Sequence, residues 1–126
     1  MNIDSPDSAV ASNIRDGIIG YWEMLASRDE VLGYRDKAPA YVNILAELFN
    51  QWEDWFLPSG PLKMREIYAD PVYTEEERAA MLAFHEILER VADATTTDDL
   101  DKFLDSPQWL VLSAAAAQGL GVFKKR

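Results

Sequence analysis

The stretch PAYVNILAELFNQWEDWFL, residues 39–57, decides the fold that the sequence predicts. Large apolar residues recur in it at steps of three and four, as in the series Tyr41, Leu45, Leu48, Trp52 and Trp55. This spacing indicates a helix rather than the alternating pattern of a strand. Because the apolar face is much wider than a coiled-coil seam, other elements must cover the helix on most sides. We therefore expect the helix to begin at Pro39, to end before Pro58 and to form the core of the domain.

Capping signals outside this stretch predict further helices. Ser-Pro at 5–6 and again at 106–107 is typical of an N-cap followed by proline at the first helical position. Thr74 with Glu77 three residues later is the signature of a capping box. The prediction is an all-α, single-domain bundle over residues 1–126, with four main helices plus two short ones. The main helices are expected at 6–27, 39–57, 74–93 and 107–118, and the short ones at 62–69 and 98–105.

Two segments are predicted to connect the main helices. Residues 28–37 carry many charges and are interpreted as a connector, in which Gly33 could end a short helical turn with Val31 and Leu32 turned inward. Residues 58–73 begin with the turn sequence PSGP and are expected to run over the surface. Frayed ends are expected at 1–4 and 122–126.

Two of the predicted helices contain glycines, which are unfavourable in a helix interior. Glycine inside a helix costs about 1 kcal/mol relative to alanine. Gly17 and Gly20 therefore suggest close approach of a neighbouring helix, with a ligand contact as the alternative. Gly119 and Gly121 are interpreted as the end of the last helix. That helix is expected to bury Trp109, Leu110, Leu112 and Ala116.

Net charge is the clearest global signal. The chain has 22 acidic residues and 12 lysines and arginines, which gives a formal net charge of −10. Three of the bases are the last three residues, so the preceding part of the chain is still more acidic. Such a surface repels nucleic acid and anionic lipid and favours basic partners. General solubility is the alternative explanation of the charge.

Several function classes lack their sequence signals. The chain has no cysteine, and hence no disulfide framework, thiolate metal site or cysteine nucleophile. No apolar run approaches the roughly 20 residues that span a bilayer, and the N-terminus MNIDSPDSAV lacks the basic start of a secretory signal. Phosphate-binding and catalytic motifs are absent from the sequence. The sequence thus predicts a cytoplasmic, non-enzymatic protein without a metal or other cofactor.

One candidate for chemistry is His85, the only histidine, which has Glu89 one helical turn later. The two side chains could form an acid–base pair or supply two metal ligands. A metal site needs more ligands, and the Glu-x-x-His pattern of di-iron bundles would require an acid where Leu82 stands. We interpret His85 as a boundary residue with satisfied hydrogen bonds, and a catalytic or metal-binding role is the alternative.

A second candidate is an acid pair between two tryptophans at the end of the 39–57 helix. If the indoles are partly exposed, their faces attract guanidinium and ammonium groups. The alternative is two core tryptophans with the acids directed to solvent. Aromatic and acidic residues of the 58–73 segment would extend the surface. The candidate partner-binding residues are Trp52, Glu53, Asp54, Trp55, Tyr68, Asp70 and Tyr73.

The preferred function is a non-catalytic interaction protein that presents this acidic, aromatic surface to a basic protein. A bacterial immunity or inhibitor protein that blocks a basic nuclease-type toxin is its concrete form. The first alternative is a helical-bundle pocket for a small apolar or aromatic ligand, since the chain contains four Trp, five Tyr and five Phe. An enzyme that uses His85 as acid or base ranks last. A homodimer through a flat apolar patch is also compatible with the pattern.

Overall fold

A computed structural model describes the chain at residues 6–39, 42–56 and 73–125; within these ranges, the side chains of 6–11 and 53–56 are not described. The described helices are α1 (Pro6–Leu25), α2 (Arg28–Lys37), α3 (Ile44–Phe56), α4 (Glu75–Ala94), α5 (Leu100–Leu104) and α6 (Pro107–Phe123). These ranges contain no strand, so the all-α prediction is confirmed. The short helix expected at 62–69 lies outside the described residues. None of the described helices has the length and hydropathy needed to cross a membrane.

The caps predicted at Thr74 and Ser106 are confirmed, whereas the cap predicted at residues 95–97 is wrong because the Asp99 side chain caps Leu100–Leu104. The Thr74 hydroxyl accepts from the Glu77 backbone N–H at 3.1 Å, and the Glu77 carboxylate accepts from the Thr74 N–H at 3.0 Å. At the start of α6, the Ser106 hydroxyl accepts from the backbone N–H of Trp109 at 3.4 Å. These bonds satisfy N–H groups that have no partner within the helix. The cap expected at Ser5 lies outside the described residues.

The prediction of a connector at 28–37 is wrong, because this segment forms the ten-residue helix α2. The Ser27 side chain caps it by accepting from the backbone N–H of Glu30. Acidic residues occupy its first turn and basic residues its last turn, which suits the helix dipole at both ends. Val31 is fully buried and ties α2 to the core. The charged composition thus reflects a solvated outer face rather than an irregular segment.

Helix α3 begins later than predicted, at Ile44 instead of Pro39. The Asn43 side chain accepts from the backbone N–H of Ala46 at 3.1 Å, and this bond marks the helix start. The predicted apolar face is otherwise present, and its fully or nearly buried members are Ile44, Leu45, Leu48 and Trp52.

Helix α6, rather than α3 alone, organises the packing. Among the described residues, its contacts with α4 and α1 are the most extensive between helices. It continues through Gly119 and Gly121 to Phe123, so neither glycine ends it and residues 122–123 are not frayed. Phe123 is buried. The prediction that Leu110 is buried is wrong, because this residue is 68% exposed.

Gly119 has a steric role in this packing. A Cβ built on Gly119 would lie 2.7 Å from two atoms of the Trp22 ring, so the missing side chain makes room for the indole. The close approach predicted at Gly20 is wrong, because nothing lies within 4 Å of the equivalent position there. The expectation for Gly17 stays a prediction.

The centre of the core is a cluster of aromatic rings from four helices. Trp52 stacks on Trp22 with ring centroids 5.9 Å apart, and Phe84 meets Trp52 edge-on at 4.7 Å. Phe123 lies edge-on to Trp22 at 5.0 Å. Such pairs contribute about 0.5–1.5 kcal/mol each beyond their burial. The Tyr21 hydroxyl donates to the Leu48 carbonyl at 2.6 Å, and burial raises the pKa of Tyr21, so this donor stays protonated.

Candidate functional site

The structure describes the side chains of two of the seven predicted partner-binding residues, and both are buried. Trp52 is fully buried and Tyr73 is 2% exposed, so neither offers a surface to a partner in this conformation. Tyr73 packs near Phe123, with 6.4 Å between the ring centroids. The other candidates fall outside the described side chains, and their role stays a prediction. They are Glu53, Asp54, Trp55, Tyr68 and Asp70.

His85 lies between a buried indole and an exposed carboxylate. Trp52 Nε1 donates to His85 Nδ1 at 3.0 Å, and His85 Nε2 lies 3.1 Å from Glu89 Oε1. A ring nitrogen that accepts a hydrogen bond carries no hydrogen. The neutral tautomer with its hydrogen on Nε2 therefore satisfies both contacts, accepting from Trp52 and donating to Glu89. This geometry fits the interpretation of His85 as a boundary residue that links core and surface.

Replacing His85 with leucine removes the acceptor that faces the buried Trp52 N–H. We expect the free energy of unfolding to fall by about 1–3 kcal/mol, the usual cost of leaving a buried donor without that bond. The matched control is Glu89→Ala, which leaves the Trp52–His85 hydrogen bond in place and removes only the exposed contact between His85 and Glu89. It should cost less than about 1 kcal/mol. Denaturant unfolding followed by tryptophan fluorescence measures both. Equal losses in the two variants would show that the Trp52–His85 bond contributes little.

A buried ion pair joins α1, α4 and α6. Arg15 Nη2 lies 2.8 Å from Glu77 Oε2 and donates to the Phe123 carbonyl at 3.2 Å. The guanidinium also lies over the Phe123 ring, 5.0 Å from its centroid. The Glu77 side chain is 1% exposed and that of Arg15 is 18% exposed. The positive charge of Arg15 is thus paired within the fold, and it offsets little of the negative charge at the surface.

Other arginines also bind groups of their own chain. Arg28 donates to the Leu104 carbonyl and to Asp105, each at 3.1 Å. Arg35 donates to the Asp101 carboxylate at 3.0 Å. Each of these arginines pairs with an acid, and among the described residues the exposed acids still outnumber the exposed bases. On α1, α2 and the 98–105 segment the exposed acids are Asp16, Glu23, Asp29, Glu30, Asp36, Asp98, Asp99, Asp101 and Asp105.

Two of these acids line a cleft of about 560 Å³ between the end of α2, the start of α3 and the residues before α5. We name it the acidic cleft. Its apolar walls include Val42 and Leu45, and its carboxylates belong to Asp98 and Asp99. Asp99 Oδ1 accepts from the backbone N–H of Asp101 at 2.9 Å, which fixes this carboxylate as the N-cap of α5. The remaining lining residues are Arg35, Ala38, Pro39, Asn43, Ile44 and Leu100.

The sequence alone does not predict this cleft. Asp98 and Asp99 belong to the short helix expected at 98–105, and neither is among the candidate site residues. The run TTTDDLD was a signal, since three acids fall within four residues. The cleft itself depends on the end of α2, and the sequence predicts a connector rather than a helix for residues 28–37.

A second concavity is an apolar groove of about 330 Å³ between α4 and α6. We name it the α4–α6 groove. Small side chains line it from both helices, and Phe84 and Ile87 add larger apolar surface. Glu76 and Gln118 are its polar lining residues. The alanine-rich run of α6 therefore leaves space beside α4 that larger side chains would fill.

Neither metal ligation nor similarity to known proteins identifies the site. Among residues 6–39, 42–56 and 73–125, no group of three or more histidine, aspartate or glutamate side chains is placed to hold a metal ion. The candidate sites are therefore the acidic cleft, for its carboxylates, and the α4–α6 groove, for its apolar lining. Comparison of the chain with protein-family models, with curated proteins and with solved structures found no match.

Proposed function

We propose that the protein is a non-catalytic interaction module that binds a basic protein through its acidic surface, with the acidic cleft as one contact. An immunity or inhibitor protein that blocks a basic nuclease-type toxin in the bacterial cytoplasm is the concrete form of the proposal. The observation that carries it is the asymmetry of the charges. Arg15, Arg28 and Arg35 are each paired with an acid of their own chain, and exposed acids still outnumber exposed bases among the described residues.

The acidic cleft suits a lysine or arginine side chain of a partner. Such a side chain has an apolar stem and a charged end. The stem would lie along Val42 and Leu45, and the charged end would reach the carboxylates of Asp98 and Asp99. Hydrogen bonds between charged groups are about twice as strong as neutral ones. One anchoring side chain in the cleft would therefore fix the register of a larger basic surface.

The net charge of −10 acts at longer range than the cleft. Complementary charge accelerates encounter and disfavours acidic competitors. The remaining acids of α1 and α2 would form the rim of the contact. Exposed rim charges change association rates more than the stability of the complex.

Binding of a nona-arginine peptide tests the role of the cleft. The double variant Asp98→Lys with Asp99→Asn reverses the cleft charge and keeps a residue able to cap α5. We expect its affinity for the peptide to be about tenfold weaker, the equivalent of about 1.4 kcal/mol. Isothermal titration calorimetry at fixed ionic strength measures this change.

The matched control is Asp16→Lys with Glu23→Gln. It makes the same change in net charge with exposed acids of α1, which contributes no residue to the cleft. We expect the control to weaken binding by less than about threefold. Equal losses in both variants would mean that net charge alone, and not the cleft, determines the affinity.

The second candidate function is the binding of a small apolar or aromatic ligand. The α4–α6 groove favours it, because its volume of about 330 Å³ is at the lower end of ligand pockets and its walls are mostly apolar. A ligand that binds the native state must raise the melting temperature. A thermal-shift screen that yields no stabilising compound would count against this candidate.

Self-association is also part of the proposal. A dimer would present two acidic clefts, and two linked sites bind a multivalent partner more tightly than one. Most soluble oligomers are symmetric, and two-fold dimers are the commonest among them.

A further inference from the structure

The solvent-facing side of α6 carries no charge. From Pro107 to Phe123 the helix contains no Asp, Glu, Lys or Arg, in a chain with 22 acids and 12 bases. Leu110 is 68% exposed and Val111 is 51% exposed. Four further exposed residues of this face lie beyond them along the helix: Ala114, Ala117, Gln118 and Gly121. We name these six residues the outer face of α6.

Projecting and recessed parts of this face lie at opposite ends of the helix. Leu110 and Val111 project near its N-terminal end. The α4–α6 groove lies beside its C-terminal half, where α6 contributes Ala115, Gln118, Gly119 and Val122. A surface that carries both a projection and a matching recess can bind a copy of itself across a two-fold axis.

We propose that the outer face of α6 and the α4–α6 groove bind a second copy of this chain. An axis perpendicular to α6 near its midpoint runs the two α6 helices antiparallel. Ala114 and Ala117 are equally far from that midpoint, as are Leu110 and Gly121. The axis therefore places the projecting end of each helix opposite the grooved end of the other. This inference specifies the self-association proposed above and is independent of the basic partner.

Small side chains at the axis favour this arrangement. Ala114, Ala117 and Gly121 present little bulk, which lets two helices approach closely. Packed helices lie about 8–10 Å apart, depending on the side chains between them. The aliphatic side chains of Leu110 and Val111 then enter the recess left by the alanines of α4.

Charge also favours a second copy at this face. Two chains with a net charge of −10 repel each other through any acidic surface. The outer face of α6 carries no acid, and Glu76 is the one acid among the residues that line the groove. Asp101 and Asp105, which precede α6, are paired with Arg35 and Arg28 of their own chain and so add little repulsion at that end.

The available area is sufficient for a small dimer. A helix of 17 residues is about 25 Å long, and two adjacent helices are about 20 Å wide. The footprint is therefore about 500 Å² on each copy, or about 1,000 Å² in total, which is the lower bound of specific interfaces. We expect a dimer that dissociates on dilution.

Analytical ultracentrifugation over a dilution series tests the proposal with Val111→Glu and its control Leu82→Glu. Both residues are 51% exposed, and both variants have the same net charge. Leu82 lies on α4 about 140° round the helix from Ile87 of the groove. We expect Val111→Glu to raise the dimer dissociation constant at least about tenfold, because dimerisation would bury its carboxylate without a partner. Leu82→Glu should dimerise like the wild type.

Cysteine cross-linking locates the axis, since the natural chain contains no cysteine. Ala117→Cys should form a covalent dimer on oxidation or with a short bismaleimide, and Ala46→Cys, exposed on α3, should not. A monomeric wild type, equal dimerisation of the Val111 and Leu82 variants, or equal cross-linking at both cysteines would overturn the proposal. Stabilisation of a monomer by a small apolar compound would assign the groove to a ligand instead. Peptide binding to the acidic cleft is measured separately, so either proposal can fail alone.

Discussion

Replacing Arg15 with methionine is expected to lower the free energy of unfolding by about 3–5 kcal/mol. The substitution leaves the Glu77 carboxylate 1% exposed and without the guanidinium that lies 2.8 Å away in the wild type. It also removes the bond from α1 to the Phe123 carbonyl at the end of α6. Guanidinium chloride unfolding followed by fluorescence of the four tryptophans measures the loss.

Two further variants separate the buried charge from general effects. Arg28→Met breaks an ion pair whose side chains are 47% and 72% exposed, and should cost less than about 1 kcal/mol. Combining Arg15→Met with Glu77→Gln also removes the buried charge that Arg15 faced, and it retains a residue that can complete the capping box. We expect this double variant to be more stable than Arg15→Met alone. Strictly additive losses would contradict a coupled buried pair.

The second large effect is expected from Gly119→Ala. Its Cβ would lie 2.7 Å from two ring atoms of Trp22, and that ring is fully buried between Trp52, Phe84 and Phe123. The rigid indole must shift within a packed core, which typically costs about 1–3 kcal/mol. The same denaturant titration measures the loss, and near-ultraviolet circular dichroism reports the changed packing of the rings.

Gly121→Ala is the matched control two residues further along the same helix. Nothing of its own chain lies within 4 Å of its added Cβ, so at concentrations where the protein is monomeric the substitution should stabilise it by about 1 kcal/mol through helix propensity. The two variants should thus differ by about 2–4 kcal/mol with opposite signs. If Gly119→Ala is as stable as Gly121→Ala, the indole does not depend on the space at Gly119.

The predictable part of the fold depends on local bonds and spacing. The capping box of Thr74 and Glu77 and the cap at Ser106 join residues three apart, so their sequence signatures carry the whole interaction. The periodicity of α3 correctly placed Leu45 and Leu48 in the core, whereas Trp52, also a candidate partner-binding residue, is fully buried. Each of these inferences needs only the geometry of one helix.

The errors arise where a distant part of the chain decides the outcome. Gly119 is typical of a helix end, but its role depends on Trp22, about a hundred residues earlier in the chain. Leu110 fits an apolar stripe, yet no described helix covers its side of α6. Helix α2 has a low apolar content and is stabilised by its caps, its end charges and the burial of Val31.

The sequence predicts that the candidate site is acidic, but it does not predict where on the fold the site lies. The excess of acids could be counted from the sequence, whereas the bonds of Arg15, Arg28 and Arg35 to their own chain appear only in three dimensions. The acidic cleft needs Asp98 and Asp99 to meet the start of α3, more than fifty residues earlier. No sequence spacing encodes that contact.

Stopped-flow association with a basic protein tests the central claim most directly. The protein that the wild type captures from its source cell would be purified, and its association rate constant measured from about 0.05 to 0.3 M salt. An acidic module that binds a basic partner predicts a rate that falls about tenfold over this range, with a flatter dependence for Asp98→Lys with Asp99→Asn. An acidic captured partner, or a rate independent of salt, would contradict the claim.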